Sequence, residues 1–547
     1  MNADDWCDHG SLGDTLIIAP PGCGKTELLA RRAAACLRNG HLPDGRRILA
    51  LTFTNKARDN LASRLAQLAG PSFRRRMTVV NFHGLALHLY TRHRYVLKDS
   101  VRELLPDDRA LRSIERRVFE EYNVPRAAQQ KIRVILRGAK AGAFTDEEVI
   151  ERLENSGSSP AVEYERQLQS ESRMDHDDVM RFGLQIIKND GVAQLYAERY
   201  AYVIVDEAQD LTRVQYDLLE PIGRSCTVFA GDTTQGIYRF AGADPEWVFE
   251  RIGDRTPIRV QLDKSYRSSP EVLAVVSAVA GALGGPALSS ADPAVWGERG
   301  RATLALFNSP VNEADWLLDQ ISQWQSDAAA EDPPRAITVG VLTRMKVGGR
   351  RDVFLSKARD AGLEVETWDH PLHRPEVVQL LRRHLDGVLA TVADPRQQVE
   401  ELYLRCFADV DAENASTLID LRDAADELIG LIEDEELPTL VDRIRISSDV
   451  DFPVGPGVHV LTGHTGKGQG FDKVVVLGFE EGQIPSFFTK GLPDDDLQVR
   501  EELALLHVMA SRAKEELVFT VCRTTNGYPQ KPSRWMALIK DHVELVS

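Results

Sequence analysis

One stretch restricts the fold more than any other. In TLIIAPPGCGKTELL, residues 15–29, an apolar run breaks into Pro20, Pro21, Gly22, Cys23 and Gly24, and helix-forming sequence follows from Lys25. A strand that feeds a glycine turn and then a helix can cradle phosphate. Gly22 and Gly24 let backbone N–H groups converge on an anion, and the helix N-terminus adds partial positive charge. In this setting Lys25 reaches the outer phosphates of a nucleotide and Thr26 can ligate Mg2+. Ala19 stands at the first position, where glycine is usual. Cys23 needs only to be small. A phosphate loop of this kind implies an α/β domain with a parallel sheet.

A second stretch completes the chemistry. YVIVDEAQD delivers Asp206 and Glu207 to the C-terminal end of an apolar strand. Beside a phosphate loop, the first carboxylate suits Mg2+ and the second suits polarisation of an attacking water. The two stretches together predict a nucleotide bound through its phosphates with Mg2+ as its companion.

The length of 547 residues implies three or four folded units. No apolar run approaches the length of a membrane span, and MNADDWCDHG has neither the basic start nor the apolar stretch of a secretory leader. The cytoplasm is the expected location. Six cysteines without CxxC pairs argue against zinc, iron–sulfur or disulfide frameworks. A net charge of −17 excludes nucleic-acid binding through a general basic field, so any such contact must be local. The basic stretches FRRR near Arg74 and KIRVILRGAK near Lys131 are candidates for it, although solvated helix faces are the commoner use of such sequence.

The β–α rhythm of TLIIAP, RILALTF, YVIVD, TVFAGD and IRVQL is interrupted by charged helical sequence between about residues 89 and 174. It resumes with RATLALF, AITVGVLT, VHVLTG, KVVVLGF and ELVFTVC, interrupted again by an acidic, strand-poor stretch. The expected division is a first α/β domain from 1–88 and 175–262 with a helical insertion at 89–174. A second follows from 263–382 and 455–547, with a short acidic helical insertion at 383–454.

Further segments carry a family resemblance. The chain resembles UvrD/Rep/PcrA-like superfamily 1A DNA helicases, in a short form, through APPGCGKT (19–26), LALTFTNKA (49–57), NFHGLAL (81–87) and DHDDVM (175–180). VDEAQD (205–210), GDTTQGIYRFAGA (231–243), SYRSS (265–269), LTGHTGKGQGFDKV (461–474) and EELALLHVMASRAK (501–514) continue the series in the family's order. The resemblance implies two RecA-like parallel-sheet domains in tandem, each with a mainly helical insertion. It implies an ATP-dependent motor that moves 3′→5′ along single-stranded DNA or a duplex with a 3′ tail. Gln235 would contact the γ-phosphate or its attacking water, Arg267 and Arg512 would be arginine fingers from the second half, and Tyr266 would stack on adenine. Phe53, Asn55, His83, Phe240, His464, Lys467 and Gly468 match DNA-contacting positions, with Phe240 standing where the family has tryptophan.

Departures from the family separate two readings. No glutamine segment that reads adenine precedes the phosphate loop, and the second insertion is short. Gly470 replaces the acid of the family's KGLEF. Loss of that acid predicts looser coupling of ATP to movement, which Gly470→Glu would restore unless the glycine needs positive φ. One reading is a translocating helicase. The other is a DNA-activated ATPase sensor that controls a partner nuclease, in DNA repair or in the manner of the helicase-like subunit of the Gabija anti-phage system, which this short form also resembles.

Overall fold

The computed structural model describes residues 6, 13–53, 55–97, 101–102, 105–106, 108–224, 226–239, 242–344, 349–368, 375–409, 421, 424, 428, 437–438, 441, 454–464, 467–489, 491–525 and 527–546. Its contacts divide it into two units, 1–262 and 263–547.

In the first unit β1 (Thr15–Ile18), β2 (Arg47–Thr52), β3 (Met77–Asn81), β4 (Tyr200–Val205), β5 (Thr227–Gly231) and β6 (Ile258–Gln261) form a sheet of order β3-β2-β4-β5-β1-β6. Every pairing is parallel. Alternating residues face opposite sides of a strand, and both sides of this sheet are covered by helices. Leu49, Leu51, Val203, Val205 and Phe229 therefore enter one core, while Ile48, Ala50, Tyr202, Ile204 and Val228 enter another. On the first face, helices Phe82–His93 and His176–Ile187 pack closely at Gly183, where a β-carbon would lie 2.7 Å from that of Ala86.

Four helices, Asp108–Glu121, Arg126–Lys140, Asp146–Asn155 and Ser159–Ser170, gather around a core of their own that includes Ile114, Val118, Leu153 and Leu168. Charge ties this bundle to the sheet domain. Lys140, whose side chain is fully buried, reaches Glu165 at 2.7 Å, Asp175 at 2.7 Å and Asp178 at 2.9 Å. Arg102 and Arg181 both pair with Asp146, at 2.8 and 2.7 Å. Asp175 also caps helix His176–Ile187 by accepting from the Asp178 amide at 2.8 Å. Burial, with Asp178 adding to it, pushes the Asp175 carboxyl up to about 7 against the pull of Lys140. The basic stretch that ends at Lys140 thus spends that lysine inside the protein. Breaking such a buried pair costs about 3–5 kcal/mol.

In the second unit, β7 (Lys264–Ser265) and β8 (Ser289–Ser290) form a short pair. The main sheet comprises β9 (Arg301–Phe307), β10 (Thr338–Thr343), β11 (Val365–Thr367), β12 (Gly457–Thr462), β13 (Phe471–Val476) and β14 (Ala513–Cys522). After a hairpin of β15 (Thr524–Thr525) and β16 (Tyr528–Pro529), β17 (Glu544–Val546) closes it. The order is β11-β12-β10-β13-β14-β9-β17, again all parallel. Helices Pro375–Leu389 and Pro395–Ala408 share a separate core with Leu421, Leu428 and Val441. Two parallel-sheet domains with helical additions are the tandem RecA-like architecture. Among the described residues no helix is long and apolar enough to cross a membrane, none forms a metal-binding His/Cys/Asp/Glu group, and five cysteines are unbonded and buried.

Candidate nucleotide and DNA site

Ligands of open parallel sheets bind beyond the carboxyl ends of the strands, and the first unit gathers its candidate residues there. After β1 the chain enters the left-handed region at Gly22 (φ 75°) and Gly24 (φ 77°), a conformation that glycine adopts without strain. Gly24 precedes helix Lys25–Arg38, so Lys25 and Thr26 occupy its first turn. The loop is fastened to the neighbouring strand by the Ala19 amide, which donates to the Gly231 carbonyl at 3.0 Å.

Lys25 meets the carboxylates at the end of β4. Its Nζ lies 2.6 Å from Glu207 Oε2 and 3.5 Å from Asp206 Oδ1. Burial alone would lower the lysine pKa, but Glu207, Asp206 and Asp232 outweigh it and hold the ammonium well above its ordinary value. Asp206 is shifted upward, by burial first and by Glu207 second, with Lys25 opposing. Glu207 adopts φ 54°, a left-handed conformation rare outside glycine. Gln209 Nε2 donates to Glu207 Oε2 at 2.6 Å, and Gln209 Oε1 accepts from the Asp232 amide at 2.9 Å. Gln235 Nε2 donates to Asp232 Oδ2 at 2.7 Å. A continuous hydrogen-bonded chain thus links Lys25, Glu207, Gln209, Asp232 and Gln235. Gln209 and Asp232 escaped the sequence reading, although both lie within the segments quoted for the resemblance. A glycine cradle, one lysine, and hard oxygen donors from Asp206 and Thr26 fit a nucleotide triphosphate carried with Mg2+.

At the ends of β2 and β5 two rings meet. Phe53 and Tyr238 stack with centroids 5.6 Å apart and planes at 22°. Tyr238 was not singled out in the sequence. The structure gives it a partner because the loops after these strands fold toward one another. His83 is exposed, its ring edge-on to His176 at 6.4 Å. Phe240 lies outside the described residues, as does the side chain of Asn55.

The second unit assembles a cluster of its own. Arg512 is 1% exposed, and its Nη2 donates to the Gly463 carbonyl at 2.7 Å. Arg267 donates to the carbonyls of Ser511 at 3.5 Å and Gly468 at 3.3 Å. Gly463 lets this loop approach helix Leu497–Ala510, because a β-carbon there would lie 2.7 Å from Leu505 Cδ1. Tyr266 is 74% exposed, and His464 and Lys467 are half-buried.

The chain matches the family model described as UvrD/REP helicase N-terminal domain over residues 5–254, and that of the UvrD-like helicase C-terminal domain over 388–524. This chain belongs to the UvrD/Rep helicase family. As a UvrD-like enzyme it is of the DNA-dependent ATPase and helicase class. It is similar to the ATP-dependent DNA helicase UvrD2 of Mycobacterium tuberculosis, 26% identical over 96% of this chain and 79% of the relative. It is also similar to UvrD1 of Mycobacterium bovis (28%; 94% and 81%) and PcrA of Leuconostoc citreum (23%; 96% and 83%).

Gly470 changes one expectation. It lies outside the positive-φ region, and a β-carbon there would make ordinary contacts, 3.6 Å from Arg267 Cδ and Nε and from the Arg512 carbonyl. A side chain fits, but a glutamate carboxylate would grow beside the Arg267 guanidinium and pair with it. Gly470→Glu is therefore expected to lower ATP turnover by roughly 10-fold or more by capturing Arg267, which is proposed below to supply transition-state charge. Gly470→Ala should stay within about twofold of the parent. Steady-state ATPase of the two variants checks this, and an unimpaired Gly470→Glu enzyme would show that Arg267 is not captured.

Proposed function

We propose that this UvrD-like enzyme couples ATP hydrolysis to 3′→5′ movement along single-stranded DNA. The observation that carries the reading is the joining of Lys25, Glu207, Gln209, Asp232 and Gln235 in one hydrogen-bonded chain across the ends of β1, β4 and β5. The phosphate-facing lysine is thereby connected to the loop that bears Tyr238. The γ-phosphate of ATP competes with Glu207 for Lys25, which frees the Glu207 carboxylate to polarise water. Thr26 and Asp206 would hold Mg2+, which neutralises charge on the phosphate oxygens. Tyr266 offers its exposed ring to the adenine. Arg267 and Arg512 supply transition-state charge when the two units close on the nucleotide, and hydrolysis relaxes that closure.

On the DNA side, Phe53 and Tyr238 are the stacking platform, joined by Phe240, Asn55, His83, His464, Lys467 and Gly468. Stacking is indifferent to sequence, as a motor requires. Phe53→Ala or Tyr238→Ala is expected to weaken single-strand affinity by about 1–3 kcal/mol with basal ATPase retained. Fluorescence anisotropy with a labelled oligonucleotide measures this, and unchanged affinity would remove the rings from the track.

A second reading, a DNA-activated sensor that governs a partner nuclease in repair or antiviral defence, is favoured by Gly470, which leaves the strand-gripping loop without its acid. Strand displacement on a 3′-tailed duplex, run beside DNA-stimulated ATPase, separates the two. Robust unwinding supports the motor. Stimulated hydrolysis without displacement supports the sensor.

A further inference from the structure

The N-terminal edge of the first sheet, opposite the nucleotide loop, carries five arginines. Arg46 and Arg47 enter β2, while Arg74, Arg75 and Arg76 follow from a short 3-10 turn, Pro71–Arg75, into β3. They interlock through neutral acceptors. Arg47 donates to the carbonyls of Arg75 at 2.5 Å, Arg74 at 3.0 Å and Met77 at 3.1 Å. Arg76 donates to those of Arg46 at 3.2 Å and of Leu42 and Pro43 at 3.0 Å. Arg46 reaches the Ala197 carbonyl at 3.5 Å.

Among the described residues none of the five forms a salt bridge, and the exposed Asp44 in the preceding turn pairs with none of them. In a chain of net charge −17 this is a local concentration of uncompensated positive charge. Arg47 and Arg76 have a structural task, since they pin the turn onto the sheet. Arg74 and Arg75 do not. Both are exposed; among the described residues Arg74 only lies over the Phe73 ring at 5.4 Å, and the Arg75 side chain makes no hydrogen bond or ion pair.

We infer that this edge is a docking surface for the phosphate backbone of duplex DNA. Exposed guanidinium forks suit phosphate oxygens without regard to sequence. Single-strand sites add a stacking ring, and the ring here, Phe73, is buried. The surface is also within reach of the single-strand residues. Arg47 opens the strand that Phe53 follows, and six residues of strand span about 20 Å, about six phosphate steps of a duplex. Duplex held at one end of β2 would accompany a strand engaged at the other. This contact lies beyond the proposed translocation track, and binding to duplex and to single strand can be read apart.

The test compares the parent with an Arg74→Ala/Arg75→Ala double variant, both exposed positions outside the nucleotide site. Affinity is measured across a NaCl series for a short single strand and for the same strand extended from a duplex. The variant should bind the tailed duplex at least about 10-fold more weakly at low salt, with the slope of log K against log [NaCl] reduced by about 2. Its single-strand affinity and single-strand-stimulated ATPase should match the parent. Unchanged binding of the tailed duplex would overturn the inference. So would an equal loss on both substrates, which would place the two arginines in the single-strand track.

Discussion

Lys25→Ala is expected to abolish ATP hydrolysis, by about 10²–10³-fold or more, while single-strand binding without nucleotide survives. Lys25 Nζ pairs with both Glu207 and Asp206, at 2.6 and 3.5 Å. Its loss removes the charge proposed to face the phosphates and takes from two adjacent carboxylates a cation that pairs with both. Asp206, shifted upward by burial and by Glu207, also loses the opposing pull of Lys25. Steady-state ATPase with and without oligonucleotide, beside anisotropy of the same oligonucleotide, separates the catalytic loss from DNA binding. Turnover near that of the parent would show that the strand–glycine–helix loop does not receive phosphate.

Arg512→Ala carries the second large effect, a fall in kcat of about 10³–10⁵ if its guanidinium stabilises the transferred phosphoryl group. The side chain is almost wholly buried and holds the loop after β12 through the Gly463 carbonyl. Arg512→Lys keeps the charge but not the planar fork, so it should recover stability better than turnover. Thermal unfolding and ATP binding of both variants distinguish chemistry from folding. A variant that binds ATP more weakly yet turns over at the parental kcat would demote Arg512 to a binding role.

The parts of this site that local sequence dictates were legible before any coordinates. An apolar strand, glycines that tolerate positive φ and a helix beginning at Lys25 are all set within a dozen residues, and the two acids follow at the end of one buried strand. The alternating parallel sheets were equally readable, because strands covered on both faces are continuously apolar. Features that arise when distant loops meet were not. Tyr238 becomes a candidate only once the turn after β5 lies against the turn after β2. Gln209 looked like an ordinary polar residue until its two ends were seen to bridge Glu207 and Asp232. Lys140 sat in a stretch that read as a basic surface, whereas four acids drawn from three segments, Asp146, Glu165 and the pair Asp175 and Asp178, hold it and its arginine companions inside the protein. Gly470 shows the same limit: a gap in a motif suggested a missing grip, and only the neighbouring Arg267 reveals what a carboxylate there would do.

The most direct test of the account is displacement of streptavidin from biotinylated single strands, with the block at one end or the other and ATP consumption followed in parallel. The account predicts ATP-dependent displacement from the 5′ end, little from the 3′ end, and none by the Lys25→Ala variant. Displacement from the 3′ end, or vigorous DNA-stimulated hydrolysis with displacement from neither, would contradict it.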